Sequence, residues 1–146
     1  MFVKQLSAFI ENRSGRLGAA CEALAGEGVN ILALSLADTA DFGILRLIVS
    51  DAEAGRRALK DAGFTVVVND VLAVEVEDRP GGLASLLGAL RQKQVNVEYM
   101  YAFSSVKTGR AALVFRFEDN EAAVAALAEG GFNVMNGVDV LGSKDE

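Results

Sequence analysis

Residues 11–17 read Glu11-Asn12-Arg13-Ser14-Gly15-Arg16-Leu17, and a close copy, Glu77-Asp78-Arg79-Pro80-Gly81-Gly82-Leu83, follows 66 residues later. The same spacing relates Val29-Asn30-Ile31 to Val95-Asn96-Val97, and Gly43 to Gly109. Gly63-Phe64 recurs as Gly131-Phe132 at a spacing of 68, which predicts two additional residues between Gly109 and Asn120. Because several motifs recur in the same order, the chain is interpreted as an internal duplication.

The duplication divides the chain into two small domains. We assign residues 1–69 to the first copy, residues 70–142 to the second and residues 143–146 to a polar tail. A domain of about 70 residues is small but can fold alone, and the apolar content of 51% is ample for a core. Residues 66–74 are nearly continuous strand-like sequence with no Gly/Ser/Pro linker. The last strand of the first copy is therefore expected to run almost directly into the first strand of the second and to couple the domains stiffly.

Each copy predicts the order strand, helix, strand, strand, helix, strand. A strand is predicted at Lys4–Glu11, and Leu17, Ala20, Cys21 and Leu24 then form one apolar helical face, a spacing that recurs at Leu83, Leu86, Leu87 and Leu90. Asp51 is expected to cap the second helix, which ends before Gly63. The remaining elements are predicted at Val29–Ala37, Gly43–Val49, Phe64–Val68, Val71–Glu77, Gly82–Gln94, Val97–Phe103, Ala111–Phe117, Asn120–Glu129 and Phe132–Val134.

This order predicts an α+β fold. Two ferredoxin-like βαββαβ sandwiches stand in tandem, each with two helices on one face of an antiparallel sheet. Strand residues 31–36 are apolar at nearly every position, so the second strand is expected to meet a partner.

Composition excludes several classes of function. The net charge is −6 and no run of Lys or Arg exists, which argues against a nucleic-acid partner. With no histidine and one cysteine, Cys21, neither an intrachain disulfide nor a His/Cys zinc site can form. No apolar run reaches the roughly 18 residues of a membrane span, and no signal peptide is recognised. We therefore expect a cytoplasmic protein without metal or cofactor.

The two copies of the motif resemble the signature of ACT domains. In that family the first strand ends in Asn or Asp, Arg-Pro-Gly-x-Leu opens the helix, and Asn-Ile starts the second strand. The resemblance covers nearly the whole chain twice and departs from the pattern at Ser14, where proline is usual. It implies a regulatory protein and not an enzyme, a homodimer paired through sheet edges or faces. Such a protein would bind an amino acid between paired domains and act on an enzyme or transporter.

The resemblance also implies where the ligand binds. Asn12 with Asn30 would form one polar clamp, and Asp78 with Asn96 would form a second that differs by a negative charge. The ligand carboxylate suits backbone N–H groups at a helix N-terminus, and its ammonium suits side-chain oxygens. The predicted ligand-binding residues are Asn12, Arg13, Ser14, Gly15, Leu17, Asn30 and Ile31 in the first copy and Asp78, Arg79, Pro80, Gly81, Leu83, Asn96 and Val97 in the second.

Structural roles would also explain these residues. Asn12, Ser14 and Asp78 stand before helices, where capping or turn formation is common. Backbone geometry alone would account for the two glycines, and solvation at the surface would account for the two arginines.

Two other functions are compatible with the sequence. One is a ligand-independent interaction module that docks on an enzyme or transporter. The other is an acylphosphatase-like hydrolase that would use Arg13 and Asn30, although no triad, carboxylate pair or histidine base is present.

Overall fold

The computed structural model describes residues 2–38, 41–103 and 109–136. The chain divides into two compact units. The first unit comprises Lys4–Asn69, and the second unit comprises the chain from Asp70 onward together with residues 1–3. Phe2 packs against the apolar core of the second unit, although the sequence assigned it to the first copy. The predicted tail, 143–146, lies outside the described residues.

The described residues contain the secondary structure that the repeat predicts, with small shifts at the ends. The elements are β1 Val3–Glu11, α1 Arg16–Gly26, β2 Ile31–Asp38, β3 Phe42–Val49, α2 Ala52–Asp61, β4 Thr65–Glu77, α3 Gly82–Gln92, β5 Val97–Ala102, β6 Arg110–Phe117, α4 Asn120–Glu129 and β7 Val134–Met135. The strands predicted at Phe64–Val68 and Val71–Glu77 form the single strand β4. The last strand, β7, is shorter than predicted.

Both units have the antiparallel topology of a ferredoxin-like sandwich. In the first unit the strand order is β2-β3-β1-β4, and in the second it is β5-β6-β4-β7. The first helix of each unit contacts the second, α1 with α2 and α3 with α4. The predicted fold class, an α+β tandem of βαββαβ units, is confirmed.

A separate apolar core holds each unit together. In the first unit, alternate residues of β1 and β3, such as Leu6, Ile10 and Leu47, pack with Leu24 of α1 and Leu59 of α2. In the second unit the stacked rings of Phe115 and Phe117, with centroids 5.3 Å apart, pack among buried side chains of β4, α3 and α4. Alternate residues of a strand point to the same side of the sheet, so the apolar ones place one face of each sheet against its helices.

The strand registers correct one part of the repeat alignment. Ile10 lies opposite Gly43 in the first unit, and the equivalent Val76 lies opposite Ala111. The alignment of Gly43 with Gly109 is therefore wrong. The spacing is 66 residues from Ile31 to Val97 but already 68 from Phe42 to Arg110, so the two additional residues lie in the β5–β6 connection.

The second helix of each unit is capped in the same way. Asp51 accepts a hydrogen bond from the amide of Ala54 (3.0 Å), as predicted, and Asp119 accepts one from Ala122 (3.0 Å). These carboxylates satisfy amide donors that have no partner within the helix.

The apolar stripe on the first helix of each unit serves two surfaces, although the sequence assigned it to one. In α3, Leu86 and Leu90 are buried, whereas Leu83 and Leu87 are each 37% exposed. In α1, Ala20 and Leu24 are buried and Leu17 is exposed. Half of the stripe therefore faces the core, and the other half faces outward along the helix flank.

Candidate functional site

The turn between β1 and α1 is built from backbone hydrogen bonds. The amide of Asn12 donates to the carbonyl of Asp41 (3.0 Å), and the amide of Arg13 donates to the carbonyl of Glu11 (2.7 Å). Gly15 then adopts φ 87°, a left-handed conformation that glycine enters without strain. Gly15 is the N-cap of α1 and no side chain caps it, so the suggestion that Ser14 caps this helix is wrong.

The turn between β4 and α3 repeats this geometry. The amide of Asp78 donates to the carbonyl of Gly109 (3.0 Å), the amide of Arg79 donates to the carbonyl of Glu77 (3.0 Å), and Gly81 adopts φ 86°. No side chain caps α3 either, so capping does not explain Asp78. The two predicted loops are therefore structural equivalents with different side chains.

The N-terminus of α1 presents backbone donors to solvent. Within the described part of the chain, the amides of Gly15, Leu17 and Gly18 have no hydrogen-bond acceptor. At the start of α3, the amides of Leu83 and Ala84 likewise have no acceptor among the described residues. Such donors, together with the positive end of the helix dipole, favour a carboxylate or another anion.

A cavity of about 330 Å³ lies beside the first loop. Its polar wall is formed by Glu11, Asn12 and Arg13, and its apolar wall by Ile10, Leu17 and Leu36. The Arg13 guanidinium forms an exposed ion pair with Glu11 (Nη2–Oε2, 3.1 Å). The cavity thus combines a polar rim with an aliphatic surface, which is common in sites for small molecules.

Four residues of this cavity were not among the predicted ligand-binding residues, namely Ile10, Glu11, Leu36 and Gly43. Leu36 comes from β2 and is 49% exposed, although it lies opposite the buried Leu45. Because residues 31–36 are apolar at nearly every position, the sequence alone could not show which of these side chains would be exposed.

The second half of each predicted clamp lies elsewhere in its unit. The carbonyl of Asn30 accepts from the amide of Ser50 (2.9 Å) at the end of β3, whereas Asn12 is bonded beside the start of β3. Nine residues of β-strand span roughly 25–30 Å. Asn12 and Asn30 of one unit therefore lie at opposite ends of β3. Ile31 lies next to Asn30, opposite Val49, and so is also far from Asn12.

The second unit repeats this separation. The carbonyl of Asn96 accepts from the amide of Glu118 (3.2 Å), at the far end of β6 from Asp78. Asn96 and Val97 line an open depression with Leu87 of α3. The side-chain amides of Asn30 and Asn96 have no hydrogen-bond partner among the described residues, so both remain available to a ligand or partner.

Strand β2 forms an apolar edge. Within the described residues it pairs only with β3. Leu34 and Leu36, opposite the buried Leu47 and Leu45, are 43% and 49% exposed, and Leu17 of α1 is exposed on the same side. We call Leu17, Leu34 and Leu36 the β2 edge. A strand whose outer edge is unpaired and flanked by exposed leucines is suited to pairing with a strand of another molecule.

Neither a metal centre nor a membrane span is found in the described ranges 2–38, 41–103 and 109–136. No group of three or more Cys, Asp or Glu side chains there is arranged to hold a metal ion. No helix there combines the length and hydropathy needed to cross a bilayer.

Solved structures of similar fold match most of the chain. A crystal structure of protein BT0572 from Bacteroides thetaiotaomicron is 40% identical, covers 97% of this chain and 96% of its own, and superposes with a TM-score of 0.90. The ligand-free regulatory subunit of aspartate kinase from Thermus thermophilus has the same fold, with 18% identity, coverage of 87% and 91%, and a TM-score of 0.65. The corresponding subunit from Thermus flavus is 17% identical, with coverage of 90% and 94% and a TM-score of 0.59.

No curated protein matches the chain. The sequence profile of one family, described as an ACT domain pair, matches residues 1–140. This match includes both loops, both helix N-termini and the β2 edge. The chain belongs to the family of ACT domain pairs.

Proposed function

We propose that this protein is a regulatory sensor that binds a free amino acid at the β1–α1 loop. The observation that carries the proposal is the cavity beside Asn12, which opens next to the unbonded amides of the α1 N-terminus. Membership of the ACT family and the fold shared with the regulatory subunits of aspartate kinase support a regulatory role. The equivalent loop at Asp78 is proposed as a second site.

The chemistry of the cavity fits the three parts of an amino acid. The N–H groups of Leu17 and Gly18 can receive the carboxylate. The side-chain oxygen of Asn12 can accept from the ammonium. The aliphatic wall of Leu17 and Leu36 can receive an apolar side chain. At the second loop Asp78 brings a negative charge, so the two sites are expected to differ in affinity.

A second copy of the chain would complete the clamp. If β2 pairs antiparallel with β2 of another copy about a two-fold axis, the start of the partner strand lies beside the end of this one. Asn30 and Ile31 of the partner would then approach the cavity at Leu36 and Asn12, which is where one unit alone lacks them. We therefore propose a homodimer through the β2 edge, with the ligand held across the interface.

Replacing Leu34 with lysine is expected to break this homodimer. The substitution places two buried charges at the strand pair, a change that weakens association by a hundredfold or more if each unpaired charge costs a few kcal/mol. Sedimentation velocity over a concentration series measures the effect. Thr65→Lys, at another exposed strand position, adds the same charge away from the edge and should remain dimeric. A Leu34→Lys protein that sediments as wild type would exclude this interface.

A thermal-shift panel of the common amino acids tests the ligand. A ligand at 100 times its Kd stabilises by about 2.7 kcal/mol, which corresponds to a rise in Tm of roughly 5 °C or more. Asn12→Ala should weaken binding about tenfold, because one hydrogen bond to a charged group is lost. Asn12→Asp, which copies the second loop, should still bind. If no amino acid raises the Tm, amino-acid sensing is excluded.

The geometry does not favour an acylphosphatase-like reaction. That chemistry needs the Arg13 and Asn30 side chains around one phosphate, but these residues stand at opposite ends of the first unit's sheet. An interaction module remains compatible with the exposed β2 edge. A pull-down distinguishes the two functions, because added amino acid should change the amount of captured partner for a sensor and leave it unchanged for an interaction module.

A further inference from the structure

The two units differ at the first residue of their first helices. Arg16 opens α1, and the equivalent position in α3 is Gly82. The guanidinium carbon of Arg16 lies 4.5 Å from the centre of the Phe64 ring, and its Nε lies 3.9 Å from Oε1 of Glu11. The first unit thus holds a cation of its own between an aromatic ring and a carboxylate.

The second unit keeps both partners of that cation but has no side chain at the position equivalent to Arg16. Phe132 corresponds to Phe64, and Glu77 corresponds to Glu11. A cavity of about 210 Å³ lies between them, lined by Glu77, Gly82 and Phe132 among others. For comparison, one water molecule occupies roughly 30 Å³ in the liquid. The cavity therefore lies beside the equivalents of the ring and carboxylate that contact the Arg16 guanidinium, although the carbonyl of Glu77 occupies the place of a Cβ on Gly82.

The ion pairs of the two glutamates point to the same difference. In the first unit Glu11 binds Arg13 through Oε2 and faces Arg16 through Oε1. In the second unit Glu77 binds Arg79, the equivalent of Arg13, through Oε2. Its Oε1 has no partner among the described residues. The ion pair between this glutamate and the arginine two residues later is therefore common to both units. Only the partner of the second carboxylate oxygen, Arg16 in the first unit, has no equivalent at Glu77.

We infer that the cavity beside Gly82 is a binding site for a small alkylguanidinium cation, recognised by Glu77 and the ring of Phe132. The guanidinium of the ligand would contact Glu77 and Phe132 as the Arg16 guanidinium contacts Glu11 and Phe64 in the first unit. A planar guanidinium suits this site because it can stack on the ring and bond the carboxylate at once. Arg110, which pairs with Glu75 (Nε–Oε2, 3.4 Å), and Arg79, which pairs with Glu77, both line the cavity, so its wall is close to neutral and binding is expected to be weak.

The test is a ¹⁵N NMR titration of the full chain with ethylguanidinium, which has no α-amino or carboxyl group and so does not report on the proposed amino-acid site. Ethylurea, its uncharged isostere, is the control ligand. We expect saturable shifts at Glu77, Gly82 and Phe132 with ethylguanidinium and none with ethylurea. Glu77→Gln should weaken binding about fivefold, the equivalent of one exposed ion pair, and Glu11→Gln should leave it unchanged. Absent shifts, equal shifts with ethylurea, or unchanged binding by Glu77→Gln would each overturn the inference.

An independent arm opens the matching space in the first unit. Arg16→Ala removes the resident guanidinium, so ethylguanidinium should now also shift the amide of Phe64 and raise the Tm of this variant more than that of wild type. An Arg16→Ala protein that folds and shows neither response would contradict the equivalence of the two positions, and with it the inferred ligand class.

Discussion

The Leu86→Ala variant is expected to lose roughly 3 kcal/mol of unfolding free energy. Leu86 is fully buried in the core of the second unit, where it packs among side chains of β4, β6 and α4. Truncation removes the transfer free energy of the lost carbons and leaves a cavity that neighbours fill only in part, and the measured cost in such cases is about 2–5 kcal/mol. Chemical denaturation monitored by circular dichroism measures the change.

Leu87 provides a matched control on the same helix. The two leucines are adjacent in sequence, but Leu87 is 37% exposed on the outward half of the stripe. Leu87→Ala should cost less than about 1 kcal/mol, in line with substitutions away from a core. Equal losses from the two variants would show that the outward half of α3 is as tightly packed as the inward half, which would contradict the division of the stripe.

The Gly82→Ala variant is expected to lose about 2 kcal/mol of unfolding free energy. A Cβ built on Gly82 overlaps the carbonyl oxygen of Glu77, which is backbone and cannot rotate away. Either the start of α3 or the end of β4 must shift, and overpacking of this kind costs about 1–3 kcal/mol. The loss should exceed the gain of up to about 1 kcal/mol that alanine brings to a helix.

Gly88 separates this steric effect from helix propensity. It lies in the interior of α3, and a Cβ there meets no atom within 4 Å. Gly88→Ala should therefore stabilise the protein by up to about 1 kcal/mol. If Gly82→Ala were as stable as Gly88→Ala, the close approach of α3 to β4 would be wrong, and so would the shape of the cavity beside Gly82.

Most of the fold could be predicted because the repeat provides every local signal twice. The helix at Asn120–Glu129 was predicted to the residue, since Asp119 caps it and Gly130 ends it. Two strands that nearly meet at Asn69-Asp70 were predicted where the structure has the single strand β4, because polar residues at this point do not interrupt the backbone pairing. The misplaced Gly43 shows the limit of this approach: a single glycine carries no register information, whereas the hydrogen-bonded pairs do.

The candidate site was predictable in part. The loop residues Asn12 and Gly15 could be chosen because their motif resembles the ACT-domain signature, in which this loop leads into the first helix. The distance between Asn12 and Asn30 could not be predicted from the sequence, because it depends on the antiparallel path of β2 and β3. The division of the α3 stripe was also hidden, since Leu86 and Leu87 are identical in type and only the packing distinguishes them. The cavity beside Gly82 could not be predicted either, because it depends on how Glu77 and Phe132 lie around the start of α3.

The most direct test of the central claim is a ¹⁵N NMR titration with whichever amino acid raises the Tm. The account predicts saturable shifts at the amides of Gly15, Leu17 and Gly18 beside the cavity, together with shifts at Ile31, which a second copy would bring to the same ligand. Shifts confined to residues far from both helix N-termini, or no saturable shifts at all, would contradict it.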